Sequence, residues 1–242
     1  MIFRITLNRP EKRNALDRDS ILRLRALLKD AQQDEAARVV LLSGEGKDFC
    51  SGADLSELQR IRDAGTLENF EDARILGELF QEMRRHPLPV IAAVRGRALA
   101  GGCGLATACD VVLAADNAQF GYPEVNIGFV PAMVMAILRR SISEKQAFDL
   151  LTTGRIVSAQ EALAMGMINA VYPSETFESS VEDYASRMAA RPASAVQLTK
   201  RLLYHMDGMG FDAAIDSGAQ MNAIARMTAD CRKGIDRFLN KE

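Results

Sequence analysis

Tryptophan is absent from the 242 residues, histidine occurs twice and cysteine four times. His86 and His205 stand far apart, and Cys50, Cys103, Cys109 and Cys231 form no C-x-x-C pair. A zinc centre and a histidine-activated nucleophile are thereby disfavoured, and no metal is expected. The cysteines read instead as reduced, buried thiols. No apolar run is long enough for a membrane helix, and MIFRITLNRP lacks the apolar segment of a secretory leader. The expectation is a cytoplasmic protein without a membrane partner. Charge of one sign is not in excess either. Thirty basic residues against 32 acidic ones leave a net charge of −2, without the basic footprint of nucleic-acid binding. No G-x-S-x-G surrounds a serine, and no G-x-G-x-x-G follows a strand. Gly96 to Gly101 has the outer spacing of a phosphate loop, but Gly102-Cys103 stands where Lys-Ser/Thr would be needed.

What is present supports a sizeable core. Hydrophobic residues make up 48% of the chain and charged ones 26%, which suits one large domain, with or without a helical appendage. Ile2–Leu7 alternates weakly and reads as a strand, ended by the Asn8-Arg9-Pro10 turn. Asp17 is placed to cap a helix with Ile21, Leu24, Leu27 and Leu28 on one face. Arg38–Ser43 reads as a buried strand, and the polar run Ser56–Arg85 carries Leu76, Leu79, Phe80 and Met83 in helical rhythm. Val90–Val94 and Val111–Ala115 are further strands, with a short one over Gln119–Val125. This alternation predicts an α/β fold. From Pro131 onward the pattern is helical, with helices expected at Ala132–Arg139, Glu144–Leu151, Ala159–Met165, Glu175–Ala190, Ala193–Met206, Phe211–Ala225 and Ala229–Leu239. Met167–Tyr172 between them reads as a short extended piece.

The stretch Val90–Asp110, VIAAVRGRALAGGCGLATACD, organises the chain. A buried strand runs into glycines that allow close backbone approach, and a helix starting near Gly101 would aim N–H groups at negative charge. A second glycine turn, Ser51-Gly52-Ala53-Asp54, also follows a strand. Two such turns side by side make a pair of donors for an oxyanion, although glycine turns after strands are mostly plain connections. Glu124 lies among Val125, Ile127, Phe129 and Val130. It is either a surface glutamate after a proline turn, the simpler local reading, or a desolvated carboxylate suited to proton transfer. Asp54 and Asp110 read as helix caps or partners of nearby backbone N–H groups.

Five stretches taken together closely resemble the enoyl-CoA hydratase/isomerase, or crotonase, family. They are ITLNRPEKRNALD (Ile5–Asp17), FCSGADL (Phe49–Leu55), AVRGRALAGGCGLATACDVVLAAD (Ala93–Asp116), FGYPEVNIGFVP (Phe120–Pro131) and LLTTGRIVSAQEALAMGMINAVYP (Leu150–Pro173). The resemblance implies an α/β, crotonase-like spiral of ββα repeats over residues 1–190 and a C-terminal helical trimerisation region over residues 191–242. It implies a homotrimer or a dimer of trimers. It also implies an acyl-CoA thioester as substrate, with coenzyme A present only as part of that substrate and no other cofactor. By motif position, the N–H groups of Ala53 and Gly101 would bind the thioester carbonyl and Glu124 would act as acid and base. Ser51, Gly52, Ala53 and Asp54 would line the coenzyme A pocket, with Lys12 or Arg13 near its phosphates. Phe238 and Lys241 would reach the coenzyme A of a neighbouring subunit.

Two departures from the family pattern bear on the reaction. Gly104 stands where the two-glutamate hydratases carry their second glutamate, and Phe129-Val130-Pro131-Ala132-Met133-Val134 replaces a glycine-rich run. The expectation is hydration of a 2-enoyl-CoA by one glutamate. The rivals are a Δ3,Δ2-enoyl-CoA isomerase, for which one carboxylate suffices, and a catalytically weak acyl-CoA-binding protein.

Overall fold

The computed structural model describes residues 1–240, apart from the side chain of Leu55. Its strands are β1 (Ile2–Leu7), β2 (Val39–Gly44), β3 (Val90–Val94), β4 (Arg97–Leu99), β5 (Val111–Ala115), β6 (Gln119–Gly121), β7 (Ile156–Ser158) and β8 (Ala170–Tyr172). Five of them form a parallel sheet in the order β1-β2-β3-β5-β8. The other three form the sheet β4-β6-β7, in which β4 and β6 are parallel and β7 is antiparallel to β6. Parallel bridges from Cys50 to Ala98 and from Leu16 to Ala53 bring the stretches after β1 and β2 alongside β4. Successive turns of the chain therefore lay a strand in the large sheet, an extended piece beside the small one, and then a helix. This is the ββα spiral that the sequence led us to expect.

Both faces of the inner strands β2, β3 and β5 are covered, which is why these read as continuous apolar runs, whereas the edge strand β1 alternates weakly. Val40, Leu42, Val90, Ala92, Val94, Val112 and Ala114 face the main core. Val39, Leu41, Ile91 and Leu113 face Phe177, Val181 and Ala185 on the other side.

The helices are α1 (Arg18–Gln33), α2 (Leu55–Asp63), α3 (Thr66–Arg85), α4 (Gly101–Thr107), α5 (Ala132–Leu138), α6 (Glu144–Thr153), α7 (Ala159–Met165), α8 (Phe177–Ala189), α9 (Ala193–His205), α10 (Phe211–Met227) and α11 (Ala229–Leu239). Local chemistry fixes several of their ends. Asp17 caps α1 by accepting from Ser20 N at 2.8 Å, and a Ser143–Gln146 capping box opens α6. Gly154 and Gly166 close α6 and α7 in the left-handed conformation.

Four expectations shift. The run Ser56–Arg85 is two helices, parted at Ala64-Gly65. The strand expected over Gln119–Val125 stops at Gly121, because Pro123 has no N–H for a ladder and opens a 3₁₀ turn, Pro123–Ile127. The extended piece at Met167–Tyr172 is a strand only from Ala170. β4 and β7, three residues each, are too short to leave a periodic signal.

The C-terminal helices meet the core through α9. Lys200 Nζ, buried, donates to Asp110 Oδ2 at 2.7 Å and to the carbonyls of Met83 and Leu88 at 3.0 Å each. Tyr204 donates to Asp110 Oδ1 at 2.6 Å, and Val90 N donates to Asp110 Oδ2 at 2.6 Å. Asp110 thus takes the backbone N–H expected of it and a buried cation as well. Burial pulls the Lys200 ammonium down in pKa while Asp110 holds it up. Beyond this anchor, neither α10 nor α11 buries a residue, and Phe211, Ile215, Ile224, Met227, Ile235, Phe238 and Leu239 stand exposed. Among the described residues no helix is long and apolar enough to cross a membrane.

Candidate active site

The two glycine turns meet. Gly52 has φ of +100°, and a methyl group on it would lie 2.9 Å from Cβ of Ala100 and 3.8 Å from Gly101 N. Ala100 itself holds φ +50° and ψ −126°, a sparsely populated conformation that costs on the order of 1–3 kcal/mol and recurs at functional sites. Behind the turn, Gly102 packs so tightly that a methyl group would overlap the Cys50 carbonyl.

Each turn presents one N–H. Gly52 O accepts from Leu16 N at 2.7 Å and Asp54 N donates to Leu16 O at 2.8 Å, so the N–H of Ala53 between them points away from Leu16. Gly101 is the first residue of α4, where an N–H has no intrahelical partner. Among the described residues neither N–H meets an acceptor. Two donors converging on one point can hold an oxyanion.

Asp54 does a different job from its neighbours. It is buried and caps α2 through Ser56 N at 3.1 Å. Its Oδ2 accepts from Lys12 Nζ at 2.9 Å and from the Arg9 guanidinium at 2.8 Å. The Lys12 hydrogen bond, followed by those of Ser56 and Arg9, holds the carboxyl well below its ordinary range. Lys12 is therefore tied to Asp54 on one side while remaining half exposed. Arg13 is exposed and joins no ion pair among the described residues. Ser51 N donates to Arg13 O at 3.0 Å, which ties this loop to the Ala53 turn. Arg9 is the member that the sequence did not reveal, since a turn dipeptide before proline carries no sign that its guanidinium serves a buried carboxylate.

Glu124 sits on the 3₁₀ turn after β6, half-buried. Its Oε2 is shielded from solvent and has no hydrogen-bond partner among the described residues. Desolvation raises its pKa above the ordinary value. The surface glutamate of the local reading is thus overturned in favour of the desolvated carboxylate; the apolar residues that follow it, Val125, Ile127, Phe129 and Val130, stand exposed, and the groups that face it are the buried Cys103 and Tyr122.

The space beside α4 is apolar. A methyl group on Gly104 would overlap Val134 Cγ1 and lie 3.1 Å from Phe80 Cζ. One on Gly101 would come within 3.8 Å of Leu76 and 4.0 Å of Leu16. Phe80, Leu76 and Val134 come from α3 and α5. Their helical rhythm was visible in the sequence, but nothing there said at which side chains the face is aimed. Cys50 and Cys103 lie buried behind the turns, their thiols pushed up to about 12 by burial, so both stay protonated. Among the described residues, no group of three His, Cys, Asp or Glu side chains could hold a metal ion. Phe238 is exposed on α11, which packs against α9 and α10, and Lys241 lies outside the described residues.

Comparison with known proteins identifies the family and the fold. The sequence profile described as enoyl-CoA hydratase/isomerase matches residues 1–242. A Thermus thermophilus protein provisionally named enoyl-CoA hydratase is 42% identical over 98% of this chain and 94% of its own length. The 2,3-dehydroadipyl-CoA hydratase of Escherichia coli is 33% identical over 99% of this chain and 92% of its own. The crystal structure of an enoyl-CoA hydratase from Mycobacterium smegmatis superimposes with a TM-score of 0.94 at 31% identity, covering 100% of this chain and 93% of that one. With the profile matched from end to end and the spiral reproduced in a solved relative, the chain belongs to the enoyl-CoA hydratase/isomerase family.

Proposed function

We propose that the protein adds water to the double bond of a 2-enoyl-CoA thioester, with Glu124 as the single acid and base. The observation that carries this reading is one oxygen of the half-buried Glu124 carboxylate, Oε2, shielded from solvent and left without a partner among the described residues. A buried polar atom without a partner is costly, and a catalytic role accounts for keeping one. Its raised pKa brings the carboxyl closer to neutral pH, where an acid–base group works best.

The Glu124 carboxylate takes a proton from water as the water oxygen bonds to the β-carbon of the enoyl group. The electron pair of the double bond moves to the thioester oxygen, where the N–H groups of Ala53 and Gly101 hold the enolate. The enolate then collapses as its α-carbon takes the proton from Glu124. One carboxyl on one face delivers both parts of water, so the addition is syn. Each oxyanion donor contributes about 10²–10³ in rate. Val134 and Phe80 close the space beside Gly104, so position 104 has no room for a second carboxylate.

Coenzyme A enters as part of the substrate. Arg13 and the outer side of Lys12 would meet its phosphates, and the Ser51–Asp54 turn would line its path. The uncovered apolar residues of α10 and α11 support self-association as a trimer or a dimer of trimers, with residues 191–242 as the assembly region and residues 1–190 as the catalytic spiral. Phe238 and Lys241 would then reach a neighbour's coenzyme A. Three buried, unpaired cysteines fit the reducing cytoplasm.

Product analysis separates this reading from isomerisation. Given a 3-enoyl-CoA and a 2-enoyl-CoA in parallel, the protein should form the 3-hydroxyacyl thioester from the 2-enoyl substrate. Conversion of the 3-enoyl substrate that stops at the conjugated thioester, with the 2-enoyl substrate untouched, would make it an isomerase. Tight acyl-CoA binding without turnover of either would make it a binding protein.

A further inference from the structure

We propose that Tyr122 is a positioning residue, whose buried hydroxyl fixes the Glu124 segment against the helix that begins with the Gly101 N–H. The proposal rests on the catalytic reading above for its kinetic consequence, but not for its structural content. Tyr122 is fully buried and immediately precedes the 3₁₀ turn that carries Glu124. Its hydroxyl lies 3.1 Å from Thr107 Oγ1 in the last turn of α4. Thr107 commits its own proton to the Cys103 carbonyl, 2.9 Å away, so Tyr122 is the donor to Thr107.

The need for such a tether follows from what Glu124 lacks. No side-chain partner orients its buried Oε2 among the described residues. The ladder between β4 and β6 ends at Gly121, whose carbonyl accepts from Ala100 N at 2.8 Å. Pro123 has no N–H to donate. Between Gly121 and Glu124, the hydroxyl of Tyr122 therefore gives the segment a polar link to α4, through Thr107 and with Cys103 beside it. The Ala100–Gly121 bond holds one end of the site at the Gly101 donor, and the Tyr122–Thr107 bond holds the other end near the carboxylate. A displacement of about 1 Å at reacting groups costs about 10²-fold in rate, so a link of this kind has kinetic weight.

Tyr122→Phe removes the hydroxyl and keeps the ring in the core, and Thr107→Val removes the partner from the other side. With crotonyl-CoA, each should lower kcat about tenfold and leave KM nearly unchanged. Thr107→Ser, which keeps a hydroxyl, should match the wild type. The double variant should be no slower than the worse single one, because both remove the same bond. A second readout does not need turnover. The carboxyl resonance of Glu124, in protein labelled with ¹³C-glutamate and identified by its absence in Glu124→Gln, is titrated in wild type and Tyr122→Phe. The titratable groups facing it are Cys103 and Tyr122, both kept protonated by burial, so the midpoint reports the carboxyl's own surroundings. Loosening the segment admits water and should move that midpoint down toward the ordinary glutamate value. An unmoved midpoint overturns the proposal, as do additive losses in the double variant. A moved midpoint in a protein whose wild type hydrates nothing would uphold the tether and sink the hydratase reading.

Discussion

Gly52 and Ala100 face each other across the meeting point of two turns, with room for the Cβ of one and not of both. The contact lies where the turn carrying the Ala53 N–H meets the turn carrying the Gly101 N–H. Gly52→Ala brings a methyl to 2.9 Å from Cβ of Ala100 at a position with φ of +100°. The strain should cost about 1–3 kcal/mol of stability and, by pushing the donors apart, about 10²-fold in kcat. Thermal unfolding and steady-state kinetics on the same preparation check both. An unchanged kcat would separate this contact from catalysis.

The apolar wall beside Gly104 yields a second expectation. Gly104→Glu cannot add a working second carboxylate, because its Cβ would already overlap Val134. Overpacking of this kind costs about 1–3 kcal/mol, and the rate should fall rather than rise. Gly104→Glu combined with Val134→Ala should recover part of the lost stability. A single Gly104→Glu variant that is faster and equally stable would contradict the closed wall.

Much of this was legible beforehand, for reasons specific to each element. The inner strands of the large sheet, β2, β3 and β5, buried on both faces, announce themselves as apolar runs, and α7 and α11 begin and end where the sequence placed them because Ser158, Gly166 and Thr228 punctuate them. The turns at Gly52 and Gly101 were visible as glycines after strands, but their approach to one another is a long-range fact that no local pattern encodes. Glu124 shows the same limit. Its burial depends on how the 3₁₀ turn is held against the rest of the fold, and local sequence around Pro123 favoured a surface position. Arg9 and Tyr122 were missed because each acts through a contact with a residue distant in the chain: Asp54 for one, Thr107 for the other.

The desolvated Glu124 makes stability depend on pH in a defined direction. Its folded pKa lies above 4.5, the ordinary value, so the native state binds the proton more tightly than the unfolded chain. Stability is therefore lost as pH rises from about 4.5 through the raised folded value. Glu124→Gln removes that loss. The variant should unfold at a higher temperature than wild type at neutral pH, and the difference should shrink to nothing in acid below the ordinary value. A lower unfolding temperature at neutral pH would contradict a desolvated carboxylate.

Asp54 works in the opposite sense. Hydrogen bonds from Lys12, Ser56 and Arg9 depress its folded pKa below the ordinary 3.8, so its contribution is present above that value and fades as pH falls through the folded one. Asp54→Ala loses a helix cap worth about 0.5–2 kcal/mol, leaves Lys12 without its ion-pair partner and leaves Arg9 paired with Asp17 alone. The variant should be less stable at neutral pH, with the gap to wild type narrowing in strong acid. Denaturant titrations at several pH values measure that gap, and a gap independent of pH would remove the charge from the explanation.

The central claim is that one half-buried carboxylate, Glu124, moves the proton in water addition, and it is tested most directly by the loss of conjugated-enoyl absorbance from crotonyl-CoA. Wild type and Glu124→Gln are followed side by side at neutral pH. The account expects steady loss with wild type and a rate lower by about 10²–10⁴ in the variant, the usual worth of a general acid–base group. Equal rates in the two proteins would contradict it, because the proton would then be moving through a residue other than Glu124.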